Sequence, residues 1–593
     1  MVRRFRRLLL VGLAVLMAIA TGGCESVLYR TEAAEISRIV VAVTTDPKTF
    51  NYILSEESPN VFGLTYNALL QQDGITGELV PELAESWDIS DDGLRITYTL
   101  REGLKWSDGE PLTVEDILFT YNDVIFNEAI PTSTRDILRI GESGVLPEVR
   151  QVDERRVQFI APEPFAPLLR FSGGIAIIPK HALYESVVNT GSDGDPRFLT
   201  TWGTDTDPRQ IVCSGPYVIS SYSPNQRVVF DRNPYYWRKD AQGNSLPYVE
   251  QLIWEIVESS DTAIMQFRSG GLDTIGVSPT NFSLLKREED RSNFHIEIGE
   301  PAMGTVFISF NLNQGSRNGQ PLVDPVKSRW FNTVEFRQAV AYGLDRQTMI
   351  NNLYRGIGEP QHSPISVQSP YYLSPEEGLQ TYDHDPERAK TLLQSAGFQY
   401  NPQGQLLDAE GNLVEFILNV PAGGQTVSAI GAQIKRDLGE IGMQVNFQPI
   451  AFNTLIDKLD TTLDWECVLI AFTGGVEPHG GANFWLPDGR LHMFNLASQP
   501  GQPPIEGRVV ADWEAKIGQL YIEGAQEFDE EQRKEIYAQS QQLAQEYLPC
   551  IYLINPLTMS AIRDRLEGVE FSSLGNTNLE SVLWNVYEIK VVD

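Results

Sequence analysis

The segment Thr473 to Trp485, TGGVEPHGGANFW, gathers the side chains best suited to hold a small molecule. Glu477 offers a charge, His479 an imidazole that titrates near neutrality, Asn483 an amide and Trp485 an aromatic wall. Glycines 474, 475, 480 and 481 let a ligand approach the backbone closely. The preceding residues, Cys467 to Phe472 (CVLIAF), are apolar without alternation, which predicts a strand covered on both faces. Ligands of open α/β sheets bind beyond the carboxyl ends of strands. The candidate ligand-binding set is therefore Ala471, Phe472, Thr473, Gly474, Glu477, His479, Asn483 and Trp485. A surface loop with turn glycines is the plain alternative. The backbone of Ala471 to Gly474 could also pair with an extended ligand in the manner of an added strand.

Catalytic signatures are missing. There is no G-x-S-x-G, no H-E-x-x-H and no P-loop. The six histidines, 181, 295, 362, 384, 479 and 492, do not cluster in sequence. The 79 acidic residues guarantee candidate carboxylate pairs, so a hydrolase of that kind has no distinguishing signal. Three readings stay open: a solute receptor, a secreted hydrolase, and a metal-binding receptor using His479 and His492. The expectation is a receptor, not an enzyme, with no catalytic residue, cofactor or metal assigned.

The elements that must position these residues come from a long, acidic chain. Its 593 residues carry a net charge of −33, which repels nucleic acid and anionic lipid head groups. Arg3, Arg4, Arg6 and Arg7 precede an apolar run from Leu8 to Ala20, too short to span a bilayer comfortably. Small residues then lead to Cys24. This predicts a secretory signal over 1–23. The cysteine after it resembles a bacterial lipobox, although Thr21 stands where such motifs usually carry Leu. The resemblance implies lipidation of Cys24 and a polar tether over 24–36. Cys213, Cys467 and Cys550 lie far apart, so at most one disulfide forms and buried thiols are expected.

Along the chain, Arg38 to Val43 predicts a first core strand, and the loop after it holds Asn51. Val61 to Leu70 has helical spacing. Ile96, Tyr98 and Leu100 alternate as a half-buried strand, and Thr113 with Asp116 predicts a capped helix. Gln151 to Ile160 and Phe171 to Ile178 read as strands, with Pro162, Pro164 and Pro167 excluding a helix between them. Tyr217 to Ile219 and Arg227 to Phe230 predict a hairpin turned by Ser223-Pro224-Asn225. Thr305 to Asn313 and Cys550 to Ile554 read as strands. Asp345 and Asp385 are predicted helix caps. Val414, Phe416, Leu418 and Val420, the stripe Ile430, Ile434, Leu438 and Ile441, and then Val445 and Phe447 predict a βαβ unit with parallel strands.

Four stretches resemble the family 5 extracytoplasmic solute-binding proteins of ABC importers, a group that includes oligopeptide- and dipeptide-binding proteins. They are PELAESW…YTLREGLKWSDGEPLTVEDI, GPY…RNPYYW, VEFRQAVAYGLDR and the Asp385-Pro386 helix ending at Gly397. The Asp46 to Asn51 loop resembles the family's opening near the ligand cleft, which adds Asn51 to the candidate ligand-binding residues. The resemblance implies an α/β, two-lobed periplasmic-binding-protein fold of type II, with an extra domain inserted in lobe one and two strands as the hinge between lobes. The expected division is 37–75, 198–302 and 556–593 for lobe one, 76–197 for the insertion and 303–555 for lobe two. It further implies a monomer at the outer face of the cytoplasmic membrane or in the periplasm, held to the membrane by lipid alone. Its partners would be a peptide or peptide-like solute and an ABC permease with its ATPase, with no nucleic acid. In oligopeptide-binding members an aspartate three residues before the Glu-Pro pair holds the peptide α-ammonium. Here that position is Gly474, so either Glu477 substitutes or the ligand is not an ordinary peptide. Sugars, opines and chelated metals are bound elsewhere in the family.

Overall fold

The computed structural model describes residues 36–592, apart from 56–58, 60, 142, 193, 500, 576 and 577. The expected signal segment, Cys24 and the tether up to residue 35 lie outside the described residues.

Lobe one is built on two sheets. In the first, Arg38–Val43 runs parallel to Gln251–Ile256, which pairs antiparallel with Arg227–Arg232 and then Tyr217–Ser223. Ile39, Val41 and Val43 point inward, as their alternation requires. The predicted hairpin forms, with Asn225 at φ 57° in its turn. Asp46 clamps that turn: its Oδ1 accepts from Tyr222 Oη at 2.7 Å and from Asn225 N at 2.9 Å. The second sheet sets Ile554–Arg563 between Thr274–Gly276 and Phe294–Pro301.

The inserted region carries an antiparallel sheet, Ala84–Ile89, Arg95–Leu100, Arg156–Ile160 and Glu148–Gln151 in that order. The predicted capping box is present, with Thr113 N donating to Asp116 Oδ2 at 2.8 Å. Asp116 also accepts from Lys180 N at 2.9 Å, so one carboxylate fastens two helix starts. This region shares a continuous apolar core with lobe one, running from Ile39 and Val41 to Tyr98, Trp106 and Phe159.

Lobe two has a five-stranded sheet in the order Gln444–Ile450, Glu415–Pro421, Cys467–Phe472, Thr305–Phe310, Cys550–Tyr552. The first three strands are parallel, as the βαβ reading requires, and the helix Gln425–Glu440 crosses between the first two. Asp345 and Asp385 cap Arg346–Leu353 and Pro386–Ser395 through Thr348 N and Arg388 N, 2.8 and 2.9 Å away. The chain passes between the lobes twice in extended form. Phe294–Pro301 leads into Thr305–Phe310, and Cys550–Tyr552 leads into Ile554–Arg563. These are the two hinge strands. Cys213, Cys467 and Cys550 are free, buried thiols, and burial pushes all three up in pKa.

Three predicted elements differ. Gln151 to Ile160 is not one strand: Glu148–Gln151 and Arg156–Ile160 pair antiparallel, and the chain turns back between them where Asp153 Oδ1 accepts from Arg155 N and Arg156 N at 3.0 and 2.9 Å. Val61 to Leu70 is not one helix: a single turn, Phe62–Thr65, is followed by the short strand Leu70–Gln72. The Thr65 carbonyl accepts from Ser214 N and Gly215 N at 3.0 and 2.8 Å, and these bonds hold the chain open after the first turn. Phe171 to Ile178 is not a strand: Leu168–Gly174 is helical, and beyond it Ala176 makes a single bridge to Ala68. Pro167 sits before the first turn of that helix, where a missing N–H costs nothing.

Candidate functional site

Where the lobes face each other, a cavity of about 580 Å³ lies between them. Lobe one supplies Tyr52, Tyr66, Asn67, Gln71 and Gln72, the insertion supplies Glu82, Thr134, Ile137, Arg170 and Phe171, and lobe two supplies Gly475, Val476, Glu477 and Gly480. Trp584 closes one side. A second cavity of about 220 Å³ adjoins the loop on the lobe-two side, walled by Thr473, Gly474, Glu477, Trp485 and Tyr521.

The predicted loop therefore does reach the cleft, but its residues divide sharply in role. Glu477 borders both cavities. It is not a free carboxylate: Arg533 Nη2 donates to its Oε1 at 2.8 Å, and the same oxygen accepts from His479 N at 3.1 Å. Arg533 is itself fixed by the Gly524 carbonyl and by Tyr371 Oη, 2.7 and 2.6 Å away. Gly474 has a steric reason. A Cβ there would stand 1.9 Å from the Met303 carbonyl oxygen, at the hinge crossing, so no side chain fits without moving the backbone. Trp485 is nearly buried, stacking on Tyr521 with centroids 6.0 Å apart. Thr473 and Ala471 are exposed. Phe472 packs edge-on against Phe307 and Phe484, at 5.3 and 5.4 Å between centroids. Asn483 is buried in the short helix Ala482–Trp485 and borders neither cavity.

His479 lies at the seam between the lobes. Its ring meets Phe165 and Phe171 of the first lobe at centroid distances of 5.1 and 5.7 Å. Burial pushes it down to about 4. His492 is elsewhere, with Nδ1 2.7 Å from the Phe484 carbonyl and Nε2 2.9 Å from Glu514 Oε1. The two histidines do not converge on one site, and among the described residues no group of three metal-ligating side chains does.

Asn51 is occupied structurally. It caps the turn Tyr52–Leu54, and its Nδ2 donates to the Phe198 and Thr201 carbonyls, each at 3.2 Å. Its neighbour Tyr52 is the one that borders the cavity. Sequence reasoning missed Tyr52, Glu82 and Arg170. Arg170 had a signal: it is the only charge between Glu163 and Lys180, in a stretch of apolar and small residues.

Comparison with known proteins decides the family. Residues 78–490 match the profile of the bacterial extracellular solute-binding proteins, family 5 (middle). The chain belongs to that family. Among the relatives of this family 5 protein is a probable ABC transporter-binding protein of Deinococcus radiodurans, 30% identical over 551 residues and covering 88% of this chain and 87% of its own. The oligopeptide-binding protein AppA of Bacillus subtilis, solved with a nonapeptide, has the same fold. Its TM-score is 0.77 at 20% identity, covering 94% of this chain and 99% of its own. MelB of Agrobacterium fabrum, solved with stachyose, gives 0.79 at 20% identity, with 94% and 85% covered. Both solved relatives are family 5 folds with very different ligands, so the fold alone does not fix what this receptor holds. Among the described residues no helix is long and apolar enough to cross a membrane.

Proposed function

We propose that the protein is the capture subunit of an ABC importer. It takes a peptide or peptide-like solute into the cavity between its lobes, outside the cytoplasmic membrane, and delivers it to the permease and its ATPase. Cys24 is the lipid attachment point. Lobe one with its insertion (37–302 and 556–593) moves as one body against lobe two (303–555). The observation that carries this reading is the enclosure itself. A cavity of about 580 Å³ has walls from both lobes, and among the described residues the chain crosses between them through two extended strands. That volume lies within the roughly 300–1,000 Å³ typical of small-molecule sites, and two-strand hinges permit closure about a ligand.

Scattering tests it. Protein freed of solute by unfolding and refolding should shrink in radius of gyration when its co-purified solute is returned, and mass spectrometry identifies that solute. An unchanged radius at saturation would remove the closing receptor. A non-peptide solute is the second reading. It is favoured by Gly474, where no side chain fits to hold a peptide ammonium, and by Glu477, whose carboxylate Arg533 already holds.

A further inference from the structure

Three charged side chains border the large cavity: Glu82, Glu477 and Arg170. Both carboxylates carry an arginine of their own. Arg238 donates to Glu82 Oε2, and Arg533 to Glu477 Oε1. In each pair the arginine stands outside the cavity wall, so the carboxylate meets the cavity already neutralised.

Arg170 is different. It donates to two neutral oxygens, Gln72 Oε1 at 2.8 Å and the Gly77 carbonyl at 3.3 Å. Among the described residues it has no ion-pair partner: both of its hydrogen bonds go to uncharged oxygens. Burial pulls its guanidinium below the usual range, with Glu477 and Tyr371 acting against that from a distance. A half-buried cation that no carboxylate touches among the described residues is costly to keep, and the planar fork of a guanidinium is shaped for two parallel bonds to an oxyanion. Around it the wall is largely aromatic and apolar, with Tyr52, Tyr66, Phe171 and Trp584.

We infer that the cavity selects an organic anion: a solute with an apolar or ring-bearing body and one carboxylate seated on Arg170, and no ammonium group that would need a carboxylate of the protein. This rests on the receptor reading above and names its substrate class. It agrees with the blocked position at Gly474, because a solute without a free ammonium needs no anchor there.

The experiment is calorimetry on solute-free protein with matched probes. N-acetyl-trialanine is the anion, its C-terminal amide the neutral twin, trialanine the zwitterion and trialanine amide the cation. D-galacturonate and D-galactose form the non-peptide pair, and inorganic phosphate tests for a bare oxyanion site. The anionic member of at least one pair should bind at least tenfold more tightly than its neutral twin, and phosphate alone should bind weakly or not at all. Arg170→Gln should remove that advantage, and Arg170→Lys should keep part of it. Melting curves and far-ultraviolet dichroism of both variants check that the fold is intact. A neutral twin that binds as well as its anion overturns the inference. So does an Arg170→Gln protein that keeps the preference, a stronger response to the cation, or no binding by any anion. Tight binding of galactose or of the neutral amide, unaffected by Arg170→Gln, would leave the receptor standing and remove only the anion. A protein that yields no solute and binds none of the probes would remove both.

Discussion

The two buried histidines of the 473–495 segment are chemically alike and placed in opposite ways. His492 lies inside lobe two, fully buried, with both ring nitrogens facing acceptors on Phe484 and Glu514. Glu514 is itself met by Asn495 Nδ2 at 2.9 and 3.0 Å and by Arg508 at 3.5 Å. His479 is almost as buried, yet neither ring nitrogen makes a well-formed hydrogen bond; only the backbone of Tyr521 and of Ile137 comes near the ring, one from each side of the seam. The difference follows from what surrounds them. A polar group sealed inside one body must find partners, because leaving it unmade costs its full desolvation. A polar group at a seam between two bodies recovers water whenever the seam opens. His479, pressed between lobe-two residues and the Phe165 and Phe171 rings of lobe one, is of the second kind.

The sharpest way to break this contrast is to strip His492 of its partner. Glu514→Ala should cost about 3–5 kcal/mol, the range for removing one member of a buried charged network. It leaves His492 Nε2 facing no acceptor and takes the carboxylate away from Asn495 and Arg508, so the lobe-two transition in calorimetry should move down by several degrees. An unchanged transition would mean that the network is not what holds this part of the lobe.

The seam histidine predicts a smaller effect that depends on pH. Its folded value of about 4 lies below the ordinary value of 6.5, and burial is the main cause, with Arg533 acting the same way. A lowered histidine favours the closed state at neutral pH. That advantage is complete above about pH 6.5, fades as pH falls toward 4, and stays lost below it. At about 1.4 kcal/mol per pH unit the loss reaches roughly 3 kcal/mol. Affinity for the solute should therefore fall between pH 6.5 and 4, and His479→Phe should flatten that fall. His362, also lowered to about 4 by burial and then by Arg346, stays in both proteins, so the difference between the two titrations isolates the seam. Parallel titrations would show that His479 stays neutral for no purpose connected with closure.

Sequence reading served the two histidines unequally for a physical reason that holds across the molecule. Local rules were legible. Val414, Phe416, Leu418 and Val420 are all buried as their alternation says, and the Asp345 and Asp385 caps follow from hydrogen bonds spanning three residues. The cleft loop was legible because a buried strand runs into it. What was not legible depends on partners distant in sequence. Glu477 read as a free charge, and Arg533 takes it from 56 residues away. Asn51 read as a ligand contact, and carbonyls of Phe198 and Thr201 take its amide. The turn after Phe62–Thr65 is opened by Ser214 and Gly215. The first-lobe wall of the cavity, Tyr52 with Arg170, exists only after such contacts form.

The smallest expected effect lies at the rim of the same seam. Arg139 of the insertion reaches Asp488 of lobe two at 3.0 Å, and Asp488 is 70% exposed. Nearby, Asp136 Oδ2 accepts from Arg490 N at 3.1 Å, and Asp136 is buried. The two contacts cross the same gap but differ in access to water. An exposed pair contributes about 0.2–1 kcal/mol, and salt screens it. Asp488→Asn should therefore weaken solute binding by at most about fivefold at low salt, through easier opening, and not at all in 0.5 M salt. Asp136→Asn replaces a buried acceptor and should respond little to salt. Titration of the co-purified solute into each variant at both ionic strengths separates them. A loss of more than tenfold for Asp488→Asn that survives high salt would show that the rim, not the buried face around His479, holds the lobes together.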